Sequence, residues 1–231
     1  MANGEITFTW RGALAGVRAC LPIALGAGVY GVVFGILARQ TGLSLAEAML
    51  MSTIVFAGAS QLVALGLWVT PLPAGALILT TLIVNLRHLL MGASLHPWLS
   101  RLPSGRVYAS LFFMTDESWA LTLGALNDGM EDGAFLLGSG LTLFIFWGAA
   151  TALGELASGL VSNPAQWGLD FAFTAVFLAL LVGLWRGKAD LLPWIVAAVV
   201  AIAAQHWLPG KWYILLGGLA GSLIGALRHG D

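Results

Sequence analysis

Charged residues are scarce in this chain: they make up 9% of its 231 residues, whereas 59% are hydrophobic. Soluble domains carry about 25% charged residues, so this composition excludes an ordinary soluble protein. The formal net charge of −1 argues against nucleic acid as a partner. Cys20 is the single cysteine, which excludes an internal disulfide and a cysteine metal site. The composition therefore predicts an all-α integral membrane protein surrounded by a lipid bilayer.

Enzyme signatures are missing too. The sequence has no Gly-x-x-x-x-Gly-Lys loop, no His-Glu-x-x-His pair and no Gly-x-Ser-x-Gly elbow. We therefore expect neither an enzyme nor a bound cofactor. No long polar stretch separates the apolar runs, so we predict one transmembrane domain over 1–231, with 1–19 as an N-terminal lead-in.

Apolar runs of membrane-spanning length recur along the chain. A span needs about 20 mostly apolar residues. Turn signals separate eight candidates, at about 20–38, 44–68, 72–95, 108–126, 133–157, 167–185, 190–208 and 212–227. Seven spans remain an alternative if one run is broken or re-entrant. The distribution of Arg and Lys weakly favours cytoplasmic termini.

A faint internal repeat relates the two halves at an offset of 117 residues. Phe56 aligns with Phe173, and 66–68 aligns with 183–185. Transporters are often built from such repeats, although chance matches of common residues explain the same pattern. A glycine ladder in the last run, at 217, 221 and 225, predicts close helix packing, either within the chain or against another subunit.

Two polar clusters lie in the middle of apolar runs. Residues 85–88 (NLRH) interrupt the third run and residues 115–118 (TDES) the fourth. Ionisable groups cost a few kcal/mol each at that depth, so they usually face a partner, a cavity or a pathway. The guanidinium of Arg87 suits a carboxylate, although it could also tie helices together or extend to the interface. Asp116 and Glu117 project about 100° apart, so one could pair with Arg87 while the other carries a proton; a purely structural ion pair is the alternative.

Residues 56–61 (FAGASQ) weaken the second span, because Gly58 and Ser60 favour a break and Gln61 needs partners in lipid. A discontinuous helix would present backbone amides and carbonyls at mid-depth, as many transporter sites do. A smooth helix with a small-residue packing face is the alternative. Glu155 and Asp170 lie near ends of apolar runs, where interfacial charges are ordinary.

These segments together resemble the AzlC family of bacterial branched-chain amino-acid permeases. The matching pieces are 21–22, 26–35, 56–61, 85–88 and 115–117. The resemblance covers about 20–185 well and the last two spans only in hydropathy. It implies export of valine, leucine and isoleucine, with methionine as a further substrate, across a bacterial inner membrane. It also implies a small AzlD-type membrane subunit as partner.

The resulting prediction is a secondary exporter of small apolar amino acids, driven by protons. A zwitterion needs donors for its carboxylate, an acceptor for its ammonium and an apolar pocket. The predicted substrate-binding residues are Gly58, Ser60, Gln61, Asn85, Arg87 and His88. The predicted proton-coupling residues are Asp116, Glu117 and Asp170, with Glu117 slightly favoured over Asp116 for its longer side chain. The alternatives are a channel or ion exchanger using the same charges, or a scaffold subunit whose partner transports.

Overall fold

A computed structural model of the chain describes residues 6–160, 178, 182, 187–208 and 212–228. Within these ranges the regular structure is helical, and the β pairing is limited to one bridge between Thr7 and Asp132. The described helices that are long and apolar enough to cross a membrane are Trp10–Gln40, Ala74–Leu99, Ala134–Ala157 and Lys188–Trp207. The prediction of an all-α membrane protein is confirmed.

The helices are numbered in chain order. They are α1 (Trp10–Gln40), α2 (Leu45–Leu50), α3 (Gly58–Gly66), α4 (Ala74–Asn85), α5 (Arg87–Leu99), α6 (Ser104–Phe112), α7 (Asp116–Asn127), α8 (Ala134–Ala157), α9 (Leu191–Trp207) and α10 (Trp212–Arg228). A π-helical segment, Met51–Val55, follows α2, and 3₁₀ turns occur at Ser158–Leu160 and Lys188–Asp190.

The described residues belong to two compact units. One comprises 6–66 and 81–160, and the other comprises 67–80 together with the described residues from 178 onward. The predicted single domain over 1–231 stays a prediction. The predicted sixth span, 167–185, is outside the described residues apart from positions 178 and 182. The choice between seven and eight spans and the second copy of the repeat therefore also stay predictions.

The first helix is longer than the sequence predicted. It begins at Trp10 rather than near residue 20, and the hydroxyl of Thr9 caps it by accepting from the Gly12 amide. Residues 10–19 are thus continuous with the first span and do not form a separate lead-in helix. The helix also passes through Pro22 without ending.

Helices α1 and α8 run side by side in the same direction, with glycines at their interface. A side chain at Gly16 or Gly35 would collide with the α8 backbone, and one at Gly138 or Gly154 would collide with the α1 backbone. Small residues allow this close approach, and backbone-to-backbone packing is a strong source of helix association in lipid. Parallel spans require an odd number of crossings between them, and the three spans predicted between α1 and α8 fit this requirement. The helices that fall in these predicted spans are α2–α3, α4–α5 and α6–α7.

A carboxylate links α1 to α8 at each end of the pair. Near the N-termini, Asp132 accepts hydrogen bonds from the amide and hydroxyl of Thr9 and from the Ala134 amide. Near the C-termini, Glu155 pairs with Arg39 at 3.1 Å. Glu155 is only 5% exposed, and its expected position at the membrane interface stays a prediction. It is buried because Gly35 lets α1 approach the Glu155 backbone closely.

In the second unit, α9 and α10 form an antiparallel hairpin. Gly217 packs against Ala201, and Gly221 packs against Ala197 and the Pro193 carbonyl. At these two positions the predicted glycine ladder packs within the chain rather than against another subunit.

Candidate functional site

The second span is broken, as its sequence predicted. The π-helical segment ends at Val55, the next residue Phe56 has a φ of 42° and a ψ of 47° in the left-handed region, and α3 begins at Gly58. A left-handed conformation costs a residue with a side chain about 1–2 kcal/mol. Such strain persists only where the surrounding structure imposes it, and it clusters at functional sites.

A buried hydrogen-bond chain lies beside this break. The Gln61 side-chain amide donates to the Ser52 hydroxyl at 3.0 Å, and that hydroxyl lies 2.9 Å from the Thr151 hydroxyl on α8. Gln61 is fully buried, yet its Oε1 has no hydrogen-bond partner. The break therefore contains an acceptor without a donor.

The second and third spans are joined by a side-chain hydrogen bond. Ser60 donates to Asn85 Oδ1 at 2.8 Å. Asn85 is the last residue of α4, and Leu86 between α4 and α5 keeps helical backbone angles and donates to the Leu82 carbonyl, so the third span runs on as one helix. The Nδ1 atom of His88 lies 3.2 Å from the Asn85 carbonyl, so His88 interacts with its own turn.

The fourth span is broken at 113–115, between α6 and α7. Thr115 caps α7, and its side chain and that of Ser118 satisfy each other's amides. Asp116, in the first turn of α7, forms an ion pair with Arg87 at the start of α5. Both side chains are partly exposed, 36% for Arg87 and 44% for Asp116. The Arg87 Nε atom is nevertheless buried and has no acceptor.

Aromatic rings hold two of these breaks against the middle of α8. Phe56 and Phe113 each pack edge-on against Phe144, with ring centroids 5.0 Å apart in both pairs. Gly140 brings the α8 backbone against Phe113. Since α8 runs from residue 134 to residue 157, Phe144 lies near its centre. We call segments 56–61, 85–88 and 113–116 together the central site.

Glu117 points away from Arg87. It is exposed and lines an open groove of about 650 Å³ between α1, α7 and α8. The groove walls include Ala19, Ile23 and Phe135, and Asp128 is the other carboxylate along it. Adjacent residues on a helix thus reach different surroundings.

The structure brings most of the predicted site residues together. Members of the central site are Gly58, Ser60, Gln61, Asn85, Arg87, His88 and Asp116. Glu117 faces the groove instead, and Asp170 lies outside the described residues. Their substrate-binding and proton-coupling roles stay predictions.

Sequence reasoning missed Trp147. Its ring lies against Gly58, and its buried Nε1 has no acceptor. A signal was present, because Trp147 lies in the interior of the fifth apolar run while most of the other tryptophans lie near span ends, as membrane interfaces favour.

Interrupted spans that meet at a polar centre near mid-depth are typical of membrane transporters. The AzlC protein family model matches residues 22–161. This stretch is more than half of the chain, which therefore belongs to the AzlC family.

Named relatives agree with this assignment. The chain is 28% identical to the branched-chain amino acid transport protein AzlC of Bacillus subtilis, over 90% of this chain and 80% of that protein. It is 28% identical to the inner membrane protein YgaZ of Escherichia coli, over 98% of this chain and 92% of that protein. An uncharacterized membrane protein of Archaeoglobus fulgidus is 34% identical over 74% of this chain and 72% of its own length. No solved structure matches the chain. The protein is a multi-pass membrane protein with a transport role.

Proposed function

We propose that this protein is a secondary transporter that exports branched-chain amino acids, with methionine as a further substrate, across the inner membrane of a bacterium. The name of the Bacillus subtilis relative supports the substrate class, and that of the Escherichia coli relative supports the inner membrane. The observation that carries the proposal is the central site, where two broken spans meet the polar segment 85–88 of a third.

The chemistry of this site suits a zwitterion. Arg87 Nε is a buried donor without an acceptor, and Gln61 Oε1 is a buried acceptor without a donor. A substrate carboxylate would accept from Arg87 and a substrate ammonium would donate to Gln61. Unpartnered buried polar atoms each cost about 1–3 kcal/mol, so a ligand that satisfies both gains affinity and discriminates against purely apolar molecules.

Proton coupling is the finer part of the proposal. Arg87 compensates Asp116, whereas Glu117 faces an apolar groove with no cation among its described lining residues. We assign the coupling role to Glu117 and the pairing role to Asp116. Asp170 is the next candidate.

A small AzlD-type membrane subunit completes the proposal. It is supported by family membership. We expect export in cells to need this subunit, while the substrate site lies within the present chain.

The test is counterflow of labelled leucine into proteoliposomes that contain the purified chain, with and without the small subunit. We expect saturable exchange that valine, isoleucine and methionine inhibit and that lysine and glutamate do not. Inhibition by lysine equal to that by valine would contradict the apolar pocket. Conductance without saturation would identify a channel, and flux only with the subunit present would reduce this chain to a scaffold.

A further inference from the structure

The two outer ends of the α6–α7 segment lie on the same side, where α1 and α8 begin. The Arg106 Cζ atom, near the start of α6, lies 5.1 Å from the centroid of the Phe8 ring, just before α1. Helix α7 ends at Asn127, and shortly after it the Glu131 carbonyl accepts from the Thr7 amide at 2.8 Å. A segment that crossed the hydrocarbon core would place its two ends about 30 Å apart.

The middle of this segment reaches the centre of α8. The Phe113 ring lies 5.0 Å from that of Phe144, and the Phe113 carbonyl lies where a Cβ of Gly140 would stand. Since α8 begins at residue 134, these two contacts are about 9–15 Å from its N-terminus. The chain therefore enters to about half the thickness of the hydrocarbon core and returns to the side from which it came.

The α2–α3 segment turns back in the same way from the other side. Ser52 precedes the break and Gln61 follows it, yet their side chains are hydrogen-bonded at 3.0 Å. Nine residues of continuous helix would separate them by about 13.5 Å along the axis, too far for these side chains. The chain reverses at Phe56, beside Phe144, and Ser52 lies against Thr151 towards the C-terminus of α8. Both arms thus lead to the side where α1 and α8 end.

The third span is then the one complete crossing between α1 and α8. It is a continuous helix, Ala74–Leu99, and a Cβ at Gly133, just before α8, would meet the side chain of Leu102, just after this helix. One crossing is an odd number, as the parallel order of α1 and α8 requires.

Each of the two returning segments is attached to this crossing helix by one polar contact. From α3, Ser60 donates to Asn85 Oδ1 at 2.8 Å. From α7, Asp116 forms the ion pair with Arg87. We call these two contacts the latches. Since the two attachment points are two residues apart, both segments are held at the same level of the third span.

We propose that α2–α3 and α6–α7 are re-entrant hairpins that enter from opposite sides of the membrane and act as the two gates of the central site. Release of the Ser60–Asn85 latch opens the site to the side where α1 and α8 end. Release of the Asp116–Arg87 latch opens it to the side where they begin. The contact of both tips with Phe144 closes the path between the two sides. The gating role rests on the proposed binding of substrate at the central site, whereas the hairpins themselves do not.

The first experiment determines on which side of the membrane the hairpin ends lie. Single cysteines are introduced into the full-length Cys20→Ser protein, and cells are labelled with a membrane-impermeant maleimide before and after permeabilisation. The variants, all at exposed positions, are Gln40→Cys, Gly66→Cys, Ser104→Cys and Asn127→Cys. The control is Gly159→Cys, in the turn after α8, where the added side chain has open space.

We expect the cysteines at 40, 66 and 159 to be labelled from one side and those at 104 and 127 from the other. Three complete crossings between α1 and α8 would instead put 104 on the side of 40, and 66 and 127 on the opposite side. Labelling of 40 and 104 from the same side overturns the inference. It would leave the proposed substrate untouched, because no substrate is added.

The second experiment tests the latches through the labelling rate of a reporter cysteine, His88→Cys, at the central site in sealed vesicles of each orientation. Ser60→Ala removes the latch of α2–α3, and Asp116→Asn removes the charge that latches α6–α7. The matched controls are Thr53→Ala and Ser110→Ala, because each hydroxyl donates to a carbonyl one turn earlier in the chain.

We expect Ser60→Ala to accelerate labelling about fivefold from the side where α1 and α8 end, as loss of a neutral hydrogen bond predicts. Asp116→Asn should accelerate it about tenfold or more from the other side, because this latch is charged. The two controls should be labelled at the rate of the reporter protein. Unchanged labelling in either latch variant, or acceleration from the opposite side, overturns the gating role.

Discussion

The backbone amides and carbonyls are bonded within unbroken helices in the α1–α8 pair, whereas some of them are released at the central site. Along α1 and α8 the helices are unbroken, and glycines bring the two backbones into contact. At the central site the helices stop near mid-depth, so amides and carbonyls are released from the helical pattern. The first arrangement makes a rigid frame. The second keeps hydrogen-bonding capacity available for a ligand, at the cost of a strained Phe56 and several unpartnered atoms.

The comparison predicts that the same kind of substitution has different consequences in the two regions. Gly58→Leu fills the contact between α3 and the Trp147 ring, so we expect transport to be lost while the protein still inserts and purifies as a monodisperse species. The measurement is leucine counterflow beside gel filtration. The matched control is Gly26→Leu, because Gly26 on α1 has open space around it. Normal flux from Gly58→Leu would show that the break is not part of the substrate path.

The substitution Arg87→Lys tests the role of the ion pair between Arg87 and Asp116. Lysine keeps the charge but lacks the forked donors that serve Asp116 and a carboxylate together. We expect counterflow to fall about tenfold or more, as expected for loss of a charged hydrogen bond. Arg18→Lys, at an exposed position on α1, is the control and should transport normally. Wild-type rates from Arg87→Lys would make Arg87 a structural charge.

Neutralising Glu117 and Asp116 one at a time should have different effects on transport. Glu117→Gln should abolish accumulation of leucine driven by a pH gradient while counterflow continues, because exchange needs no net proton movement. Asp116→Asn should lower both activities, since it leaves Arg87 without its carboxylate. Both assays are run on the same proteoliposomes. If both variants still concentrate leucine under a pH gradient, neither acid is the coupling site.

The smallest expected effect is on the packing of α1 against α8. Gly35→Ala adds a methyl group that meets the α8 backbone, and overpacking of this kind costs about 1–3 kcal/mol. Gly28→Ala, on the same helix but in open space, should be neutral or slightly stabilising. Thermal unfolding in detergent compares the two. Equal midpoints would show that α1 and α8 do not depend on close packing at Gly35.

Spans could be predicted from the sequence because hydropathy reports them directly, and α8 agrees with its predicted span to within one residue. The break at Gly58 was also predictable, since a glycine and polar residues weaken that helix locally. The break at 113–115 was not predicted, although Thr115 followed by Asp116 and Glu117 is a helix-start signal. It is imposed by tertiary packing, because Phe113 meets α8 at Gly140. The environment of Trp147 likewise depends on which helix faces which, and one sequence does not reveal that.

The parallel pairing of α1 and α8 has a consequence for biogenesis. Helix α1 ends at residue 40 and α8 at residue 157, so 117 residues must be synthesised before the glycine surface of α1 meets its complete partner. At roughly 5–20 residues per second, this wait lasts about 6–23 seconds. During that time the first helix resides in the bilayer with its best contact surface unoccupied. Insertion factors and early-translated neighbours therefore have a defined interval in which to engage it, and nascent chains arrested before residue 134 should expose that surface to cross-linking.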